Sequence, residues 1–340
     1  MLNKKDKYNV AVVGATGIVG ESLLSILDSR KFPVNKIHAV ASQNSKGSKV
    51  KYGNELITVE ALDEFEFKNI DFAFFSAGGS ISKIYAPKAA SQNCIVIDNT
   101  SEFRYVDNIP LIVPEVNPNE IIKYEDTNII ANPNCSTIQM LVALKPLHDK
   151  FQINSINVST YQAVSGSGKD GVEELLEQSS SYIDQRSIEK NVYPKQIAFN
   201  AIPFVDCFLE NKYTREEMKM VWETQKILDK NIKVNPTAVR VPVLVGHAES
   251  IYIETNKDIN IDDAISALNN FDGISVIDDN ESIDFPTPFE QGHGTDDVYV
   301  GRVRKGLDKN NSLNLWVVAD NVRKGAALNS IQIAEELIRS

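Results

Sequence analysis

Long apolar runs are missing from this 340-residue chain. None is long enough to cross a bilayer, so no membrane helix is expected. An excess of positive charge is missing as well. Thirty-five basic residues against 46 acidic ones leave a net charge of -11. That balance argues against an electrostatic nucleic-acid binder, and it admits an anionic ligand only where local Arg and Lys override the global sign. Cysteine is scarce: Cys94, Cys135 and Cys207 are odd in number and widely spaced, which suits neither a disulfide framework nor a zinc site. A reducing cytoplasm is the natural compartment, and the opening MLNKKDKYNV lacks the apolar core of a signal peptide. There are only four histidines, so any imidazole chemistry has few candidates.

What is present reads as two domains, for which the length suffices. In the first half, short β-rich runs alternate with helical ones. YNVAVVG (8–14), KIHAVAS (36–42), IDFAFFSA (70–77) and NCIVIDNT (93–100) read as strands, with helices over 21–30 and 83–92, the latter weakened by Pro87. Buried strands alternating with helices predict an α/β fold with a parallel, doubly wound sheet of the Rossmann type. Residues 136–151 look helical, with Pro146 expected to kink or shorten the helix. A strand-richer region then follows, in 153–165, 238–246, 249–255, 296–305 and 312–320, and predicts an α+β domain with a mixed sheet open on one face. The chain closes with the amphipathic GAALNSIQIAEELI (325–338). The expected division is a dinucleotide-binding domain over 1–131, completed by a C-terminal helix within 321–340, and a second domain over 132–320.

Gly14-Ala15-Thr16-Gly17-Ile18-Val19-Gly20 lies between the first strand and the first helix. Glycines there let the backbone approach a pyrophosphate, and the helix N-terminus offers unpaired N–H groups and a favourable dipole. The spacing is G-x-x-G-x-x-G, a variant of the G-x-G-x-x-G fingerprint; the alternative is a glycine-rich turn that binds nothing. An NAD site usually shows an acidic residue ~20 residues further on for the ribose 2′-OH. Here the second strand ends in Ala41-Ser42-Gln43-Asn44-Ser45-Lys46, without a carboxylate. Hydroxyls from Ser42 and Ser45 with the Lys46 ammonium suit a 2′-phosphate better, so NADP is the expected cofactor.

ANPNCSTIQM (131–140) delivers Cys135 from a polar turn into an apolar run, which places the thiol at a helix start. The dipole and nearby N–H groups there favour the thiolate, and Asn134 offers an amide to an oxyanion. A lone cysteine is otherwise a small buried hydrophobe, the reading taken for Cys94 and, less firmly, for Cys207. Among the histidines, His38 and His148 read as structural, and His293 in QGHGTDD as exposed or functional. His247 differs, because Gly246 interrupts two β-like runs and suggests a bend that re-aims the next side chain. Arg240 stands in an apolar run, where an unpaired guanidinium is expensive. Its partner is either a bound carboxylate, matched to the guanidinium fork, or an internal salt bridge.

GATGIVG, DNTSEFR, VPEVN, NPNCSTIQ, STYQAVSGSG, EEMKMVWETQKI, RVPVLVGH and DNVRKGAALNSIQIAEEL, in this order from about residue 8 to the C-terminus, resemble the aspartate-β-semialdehyde dehydrogenase family. The resemblance implies NADPH-dependent reduction of L-aspartyl-4-phosphate to L-aspartate 4-semialdehyde with release of phosphate, on the route to lysine, threonine, methionine and isoleucine. It implies Cys135 as the nucleophile, His247 as acid/base and Gln162 as the residue orienting the acyl group. Arg240 would bind the α-carboxylate, Glu216 the α-amino group, and Lys219 and Arg104 the phosphate. Ser165, Gly166, Gly168 and Asn321 match cofactor-side loops. It also implies a homodimer, and neither nucleic acid nor membrane as partner. Taken alone, Glu216 and Lys219 are a helical i,i+3 pair of the kind that forms solvated salt bridges, and Arg104 is any surface arginine. The chain departs from many relatives at Asn44, where an arginine would have gripped the 2′-phosphate, with Lys46 as the compensating cation.

The implied mechanism is a Cys135 thioester reduced by NADPH, with His247 supplying a proton; a mild histidine pKa shift would suit that transfer, and sequence does not give its size. One alternative is N-acetyl-γ-glutamyl-phosphate reductase, with the same thiol and histidine but different recognition of the α-nitrogen. Another is a non-catalytic NADP-binding redox sensor, which predicts cofactor binding without turnover.

Overall fold

The computed structural model describes residues 2, 4–279 and 281–339. The chain divides into two compact units, residues 1–134 with 326–340, and residues 135–325.

The first unit is built on β1 (Tyr8–Val13), β2 (Val34–Ala41), β5 (Glu60–Ala61), β6 (Phe72–Phe75), β7 (Ile95–Asp98) and β8 (Ile129–Ala131), with a side hairpin of β3 (Lys49–Tyr52) and β4 (Glu55–Thr58). The six sheet strands run in the order β5-β2-β1-β6-β7-β8, and all their pairings are parallel. The expected doubly wound sheet is therefore present. The order runs outward in both directions from β1 and β6, which creates the crevice at the carboxyl ends where such sheets bind ligands. Helices α1 (Ile18–Ser29) and α2 (Gly79–Ala90) follow β1 and β6, and α7 (Leu328–Arg339) packs into the same core. Every residue of Phe72–Phe75 is fully buried, as a strand covered on both faces requires. Pro87 sits inside the last turn of α2 without ending it earlier.

The second unit opens with α3 (Cys135–Phe151). It continues through β9 (Ile153–Gln162), α4 (Gly168–Ile183), α5 (Arg215–Ile227), β10 (Lys233–Arg240), β11 (His247–Thr255), α6 (Ile261–Asn269), β12 (Ile274–Val276), β13 (Val298–Lys305) and β14 (Ser312–Ala319). Its sheet has the order β10-β9-β11-β14-β13-β12. Parallel pairs lie at both edges and antiparallel pairs in the middle, so the sheet is mixed, as expected. Alternation along β9 and β11 puts Ile156, Val158, Ile251 and Ile253 on the buried face against α3, while Ser159, Tyr161, Ser250 and Tyr252 point the other way.

Three local expectations need correction. Pro146 does not shorten α3, a helix of 17 residues that continues past it to Phe151; full burial of Leu141 to Leu144 and of Leu147 outweighs the one lost backbone bond. The strand expected over 238–246 ends at Arg240, and 241–246 is a loop, because β10 finds its partners earlier, from Lys233 beside Ser155. Cys207 is exposed and not a small core residue, whereas Cys94 is fully buried.

At the glycine loop, Gly14 has φ +93, and a Cβ on it would lie 2.9 Å from the Ser76 carbonyl carbon. A Cβ on Gly20 would come within 2.1 Å of the Gly14 carbonyl oxygen, whereas Gly17 has room at 3.5 Å. Helix α1 and β1 are thus in contact through bare backbone. Gly20→Ala is expected to destabilise the protein by about 1–3 kcal/mol, the usual cost of overpacking, and Gly17→Ala by less than about 1 kcal/mol, a lost glycine cap. Urea unfolding midpoints check this; equal effects at the two positions would contradict the close approach.

Candidate active site

Three strand ends meet at one edge of the mixed sheet. Gln162 closes β9 and pairs with Arg240 at the end of β10. His247 opens β11, which runs antiparallel beside β9. Gly246, with φ +91, makes the bend before His247, and its N–H donates to Asn321 Oδ1 at 2.9 Å. The bend expected from the sequence is present, and the reason for glycine is steric: a Cβ there would reach the Pro288 carbonyl oxygen at 2.5 Å.

α3 begins at Cys135 itself, which is half-buried and not in a disulfide. Ser136, next in the helix, receives a hydrogen bond from Gln162 Nε2 at 3.1 Å, so the head of α3 is tied to the end of β9. Gly325 lies alongside, and a Cβ on it would stand 2.8 Å from Cys135 Cβ. That glycine was not singled out in the sequence; its contact with residue 135 is made only by the fold.

The Gln162 amide also donates to Thr160 Oγ1 at 3.3 Å and to Glu216 Oε1 at 3.1 Å. Glu216 Oε2 accepts from Lys219 Nζ at 3.0 Å, and Lys219 reaches Asp206 Oδ2 at 2.8 Å. The Glu216 and Lys219 side chains are only 7% and 12% exposed, so this is no solvated helix pair. Local sequence explains their placement. Thr214 and Glu217 form a reciprocal capping box that starts α5, and Glu217 Oε1 accepts from the Ala238 N–H at 3.0 Å, pinning the helix to β10. Asp206 went unnoticed in the sequence because it stands 13 residues from Lys219 in an irregular segment.

Arg240 is 5% exposed, and its Nη1 donates to the Ala163 carbonyl at 2.7 Å. Among the described residues no carboxylate lies within ion-pair distance of it. The internal salt bridge that sequence left open is therefore not formed, and the guanidinium keeps donors for an anion. Gly166 packs against it, its Cβ direction 2.8 Å from Nη1 and 3.5 Å from the His247 ring. Ser165 and Asn321 are buried and hydrogen-bonded to each other, with Asn321 Nδ2 donating to Ser165 Oγ at 2.9 Å. Gly168 has φ +82 at the start of α4.

The His247 ring is fully buried. Its Nδ1 accepts from the Ala163 N–H at 3.0 Å. A nitrogen that accepts carries no proton, so the neutral ring holds its proton on Nε2, and Nε2 has no protein partner among the described residues. Burial first, and the Arg240 charge second, push the ring's pKa from 6.5 down to about 3, with Glu216 acting in the opposite direction. The sequence leaves the size of this shift open. Sequence could not have given it, because it comes from complete removal of water together with a neighbouring guanidinium.

In the first unit, the N-terminus of α1 has Gly17 at its cap, which supplies no side-chain hydrogen bond, and Gly14, Gly17 and Gly20 leave the backbone bare at those positions. Those residues fit a dinucleotide phosphate. Ser42 and Ser45 bracket a short turn after β2. Lys46 is engaged by Glu64 at 2.5 and 2.7 Å, and Gln43 bonds Asp63 and Glu64. Carboxylates thus stand beside this turn, which inspection of the second strand alone could not reveal. Arg104 is buried and donates to the Asn99 carbonyl at 2.8 Å; it is not the surface arginine that the sequence alone allowed. Asn134 is also buried. His293 is exposed and adjoins Phe289. Among the described residues no cluster could hold a metal ion, and no helix is long and apolar enough to cross a membrane.

Residues 9–124 match the semialdehyde dehydrogenase NAD-binding domain and 144–324 the semialdehyde dehydrogenase dimerisation domain. The aspartate-semialdehyde dehydrogenase of Shewanella violacea is 53% identical over 334 residues, covering 98% of each chain. The Legionella pneumophila protein of that name is 52% identical, over 97% of this chain and 96% of its own. The chain belongs to the aspartate-semialdehyde dehydrogenase family. Vibrio cholerae aspartate semialdehyde dehydrogenase II, solved as a complex with ASA, superposes with a TM-score of 0.97 at 50% identity, covering 99% of both chains. A probable aspartate-semialdehyde dehydrogenase of Pseudomonas aeruginosa follows at 31% identity and TM-score 0.94, covering 98% of this chain and 99% of its own. The chain is accordingly an oxidoreductase of amino-acid biosynthesis with a nicotinamide cofactor and a small-molecule substrate, and the glutamyl-phosphate alternative is not favoured.

A histidine whose folded pKa lies below its unfolded value of 6.5 binds its proton only on unfolding. Its contribution to stability is complete above pH 6.5 and is lost as pH falls towards about 3. Across that window the wild type should lose about 1.4 kcal/mol per pH unit relative to His247→Gln, measured by urea unfolding. Parallel curves for the two proteins would rule out a buried neutral ring.

Proposed function

We propose that the protein catalyses the NADPH-dependent reduction of L-aspartyl-4-phosphate to L-aspartate 4-semialdehyde and phosphate through a thioester on Cys135. The observation that carries this reading is the pairing of an Nε2–H donor on His247 with an Arg240 cation that has no carboxylate partner. Both are hydrogen-bonded to Ala163, which follows the end of β9, and Gln162 at that end is tied to the head of α3, where Cys135 sits.

The Cys135 sulfur attacks the acyl carbon, the carbon–oxygen bond to phosphate breaks, and phosphate leaves with its charge received by Lys219 and Arg104. The substrate α-carboxylate binds Arg240, whose planar fork matches it. The α-ammonium binds Glu216, the buried carboxylate at the head of α5. Gln162 orients the acyl group. A reduced nicotinamide, when held by the Gly14–Gly20 loop, would supply the hydride for reduction of the thioester. The resulting oxyanion receives the Nε2–H of His247, with the Asn134 amide as a second donor. As the oxyanion collapses, the carbon–sulfur bond breaks, its electron pair returns to sulfur and the aldehyde leaves. A neutral ring stabilises this charge without giving up its proton, so the role of His247 is that of hydrogen-bond donor more than of proton shuttle.

We assign cofactor binding to residues 1–131 completed by 321–340, and catalysis and dimerisation to 132–320. NADP is the cofactor proposed: the Gly14–Gly20 loop takes the pyrophosphate, Ser42, Ser45 and Lys46 take the 2′-phosphate, and Ser165, Gly166, Gly168 and Asn321 lie on the cofactor side of the second unit. Glu64 competes for Lys46. Aspartate semialdehyde, phosphate and NADP should give phosphate-dependent formation of reduced nicotinamide that Cys135→Ala abolishes, and Glu64→Gln should raise the preference for NADP over NAD. Turnover by Cys135→Ala would defeat the thioester route, and an unchanged cofactor ratio would remove Lys46 from the phosphate site.

The protein is proposed to act as a homodimer through the sheet face carrying Ser159, Tyr161, Ser250, Tyr252 and Trp316. There Tyr161 remains 36% exposed, with its ring 5.4 Å from that of Trp316. Light scattering should give twice the chain mass for wild type and the single mass for Tyr161→Glu/Trp316→Arg. A monomeric wild type at micromolar concentration would refute the assignment.

A further inference from the structure

One pleat behind His247, on the same face of β11, stands Glu249. It is fully buried, two residues along a strand whose next inward positions are Ile251 and Ile253. Thr160 and Val317 face it on the neighbouring strands. One turn behind Cys135 on α3 stands Gln139, also fully buried. Both carboxyl oxygens of Glu249 and both polar atoms of the Gln139 amide lack an ordinary hydrogen-bond partner among the described residues. The two side chains adjoin, and among the described residues no cation lies within ion-pair distance of Glu249. Nothing in the mechanism uses either of them.

An ionised carboxylate cannot be held there cheaply, because a buried charge without a counter-charge costs far more than a hydrogen-bonded neutral group. Burial is the main cause that raises the pKa of Glu249 well above 4.5, with the Gln139 amide opposing it. Of the other titratable groups near β11, His247 is neutral, Cys135 stands at the far end of the first turn of α3, and Glu290 belongs to the 288–292 segment; none contributes to this shift. β14 carries no titratable group, and the charged end of α3 (145–150) begins one and a half turns beyond Gln139. A protonated carboxyl is also the form that fits its neighbour. Its O–H donates to the amide oxygen and its carbonyl accepts from the amide N–H, so that one reciprocal pair satisfies four otherwise idle atoms.

We propose that Glu249 is a positioning residue, acting as a neutral carboxylic acid paired with the Gln139 amide to hold Cys135 and His247 in register. The proposal rests on the reading of those two as the reacting residues. Ser136 with Gln162 is one tether between α3 and the sheet. Glu249 with Gln139 is the second, one turn along the helix and one pleat along the strand. Two tethers on different turns stop the helix from both sliding and rotating, and an error of about 1 Å between reacting groups costs on the order of a hundredfold in rate.

The test compares Glu249→Gln, Glu249→Leu and Gln139→Met, with Cys207→Ser as background so that alkylation reports on Cys135. Glu249→Gln keeps a neutral hydrogen-bonding group, and it should retain kcat within about threefold and an unchanged KM. Glu249→Leu and Gln139→Met should lose at least about tenfold in kcat with KM nearly unchanged, and should shift the rate of Cys135 alkylation by iodoacetamide. Should Glu249→Leu fail to fold, Gln139→Met carries the same comparison. Urea unfolding adds a readout that needs no catalysis. A raised folded pKa means that wild-type stability relative to Glu249→Gln is complete below pH 4.5 and falls about tenfold in folding constant per pH unit above it. A Glu249→Gln variant as impaired as Glu249→Leu, full kcat in both Glu249→Leu and Gln139→Met, or stability curves that stay parallel would each overturn the proposal. If Cys135→Ala proved active, the reading of the site would fail, while the stability comparison would still decide whether the acid is neutral.

Discussion

The buried residue Ala163 orients two side chains at once. Its N–H donates to His247 Nδ1 and its carbonyl accepts from Arg240 Nη1. Lying between Gln162 at the end of β9 and the turn at 164–167, it is held by the strand on one side and by loop hydrogen bonds to Val243 and Leu244 on the other. The donor on Ala163 decides the tautomer of His247, and its acceptor aims the guanidinium without neutralising it. A rigid peptide does this at almost no entropic cost, because the sheet has already ordered it. A side-chain partner of either residue would have introduced a second charge or a second rotamer.

The same economy explains how a chain of net charge -11 can offer cations to the anions proposed for it. The cations are few and sheltered from water, so each acts at low dielectric where its field reaches further. Lys219 is bracketed by Asp206 and Glu216 and stays ordered, whereas Arg240 is bracketed by a carbonyl and stays available. Glu216 and Glu249 are both buried yet differ in partner: a lysine and the Gln162 amide in one case, the Gln139 amide alone in the other. Buried carboxyl groups take the state their nearest partner can satisfy.

Much of this was legible in the chain itself, and particular residues show why. Strand β1, the glycine loop and α1 were readable because each rests on local rules: apolar continuity, backbone clearance and helix periodicity. Gly246 was readable as a bend because glycine inside a β-like run needs a steric reason, and Pro288 turns out to be that reason. Glu249 also left a trace, as an acid in phase with His247, Ile251 and Ile253 on the inward side of an alternating strand. Pro146 misled because tertiary burial outweighs the propensity of one residue. The 241–246 segment misled because apolar, β-branched residues also suit an ordered loop that donates to its neighbours.

The sequence by itself determined the alternation of strands and helices in the first half, the strand-rich character of the second, the helix start at Cys135 and the family to which the chain belongs. All of these follow from local patterning and from motifs read in line. Only the tertiary structure decided the neutrality and tautomer of His247, the availability of Arg240, the capture of Lys46 by Glu64 and the isolation of Glu249. Each of these depends on what lies within a few ångströms across the fold, and desolvation and pairing are properties of neighbours that the linear order does not contain.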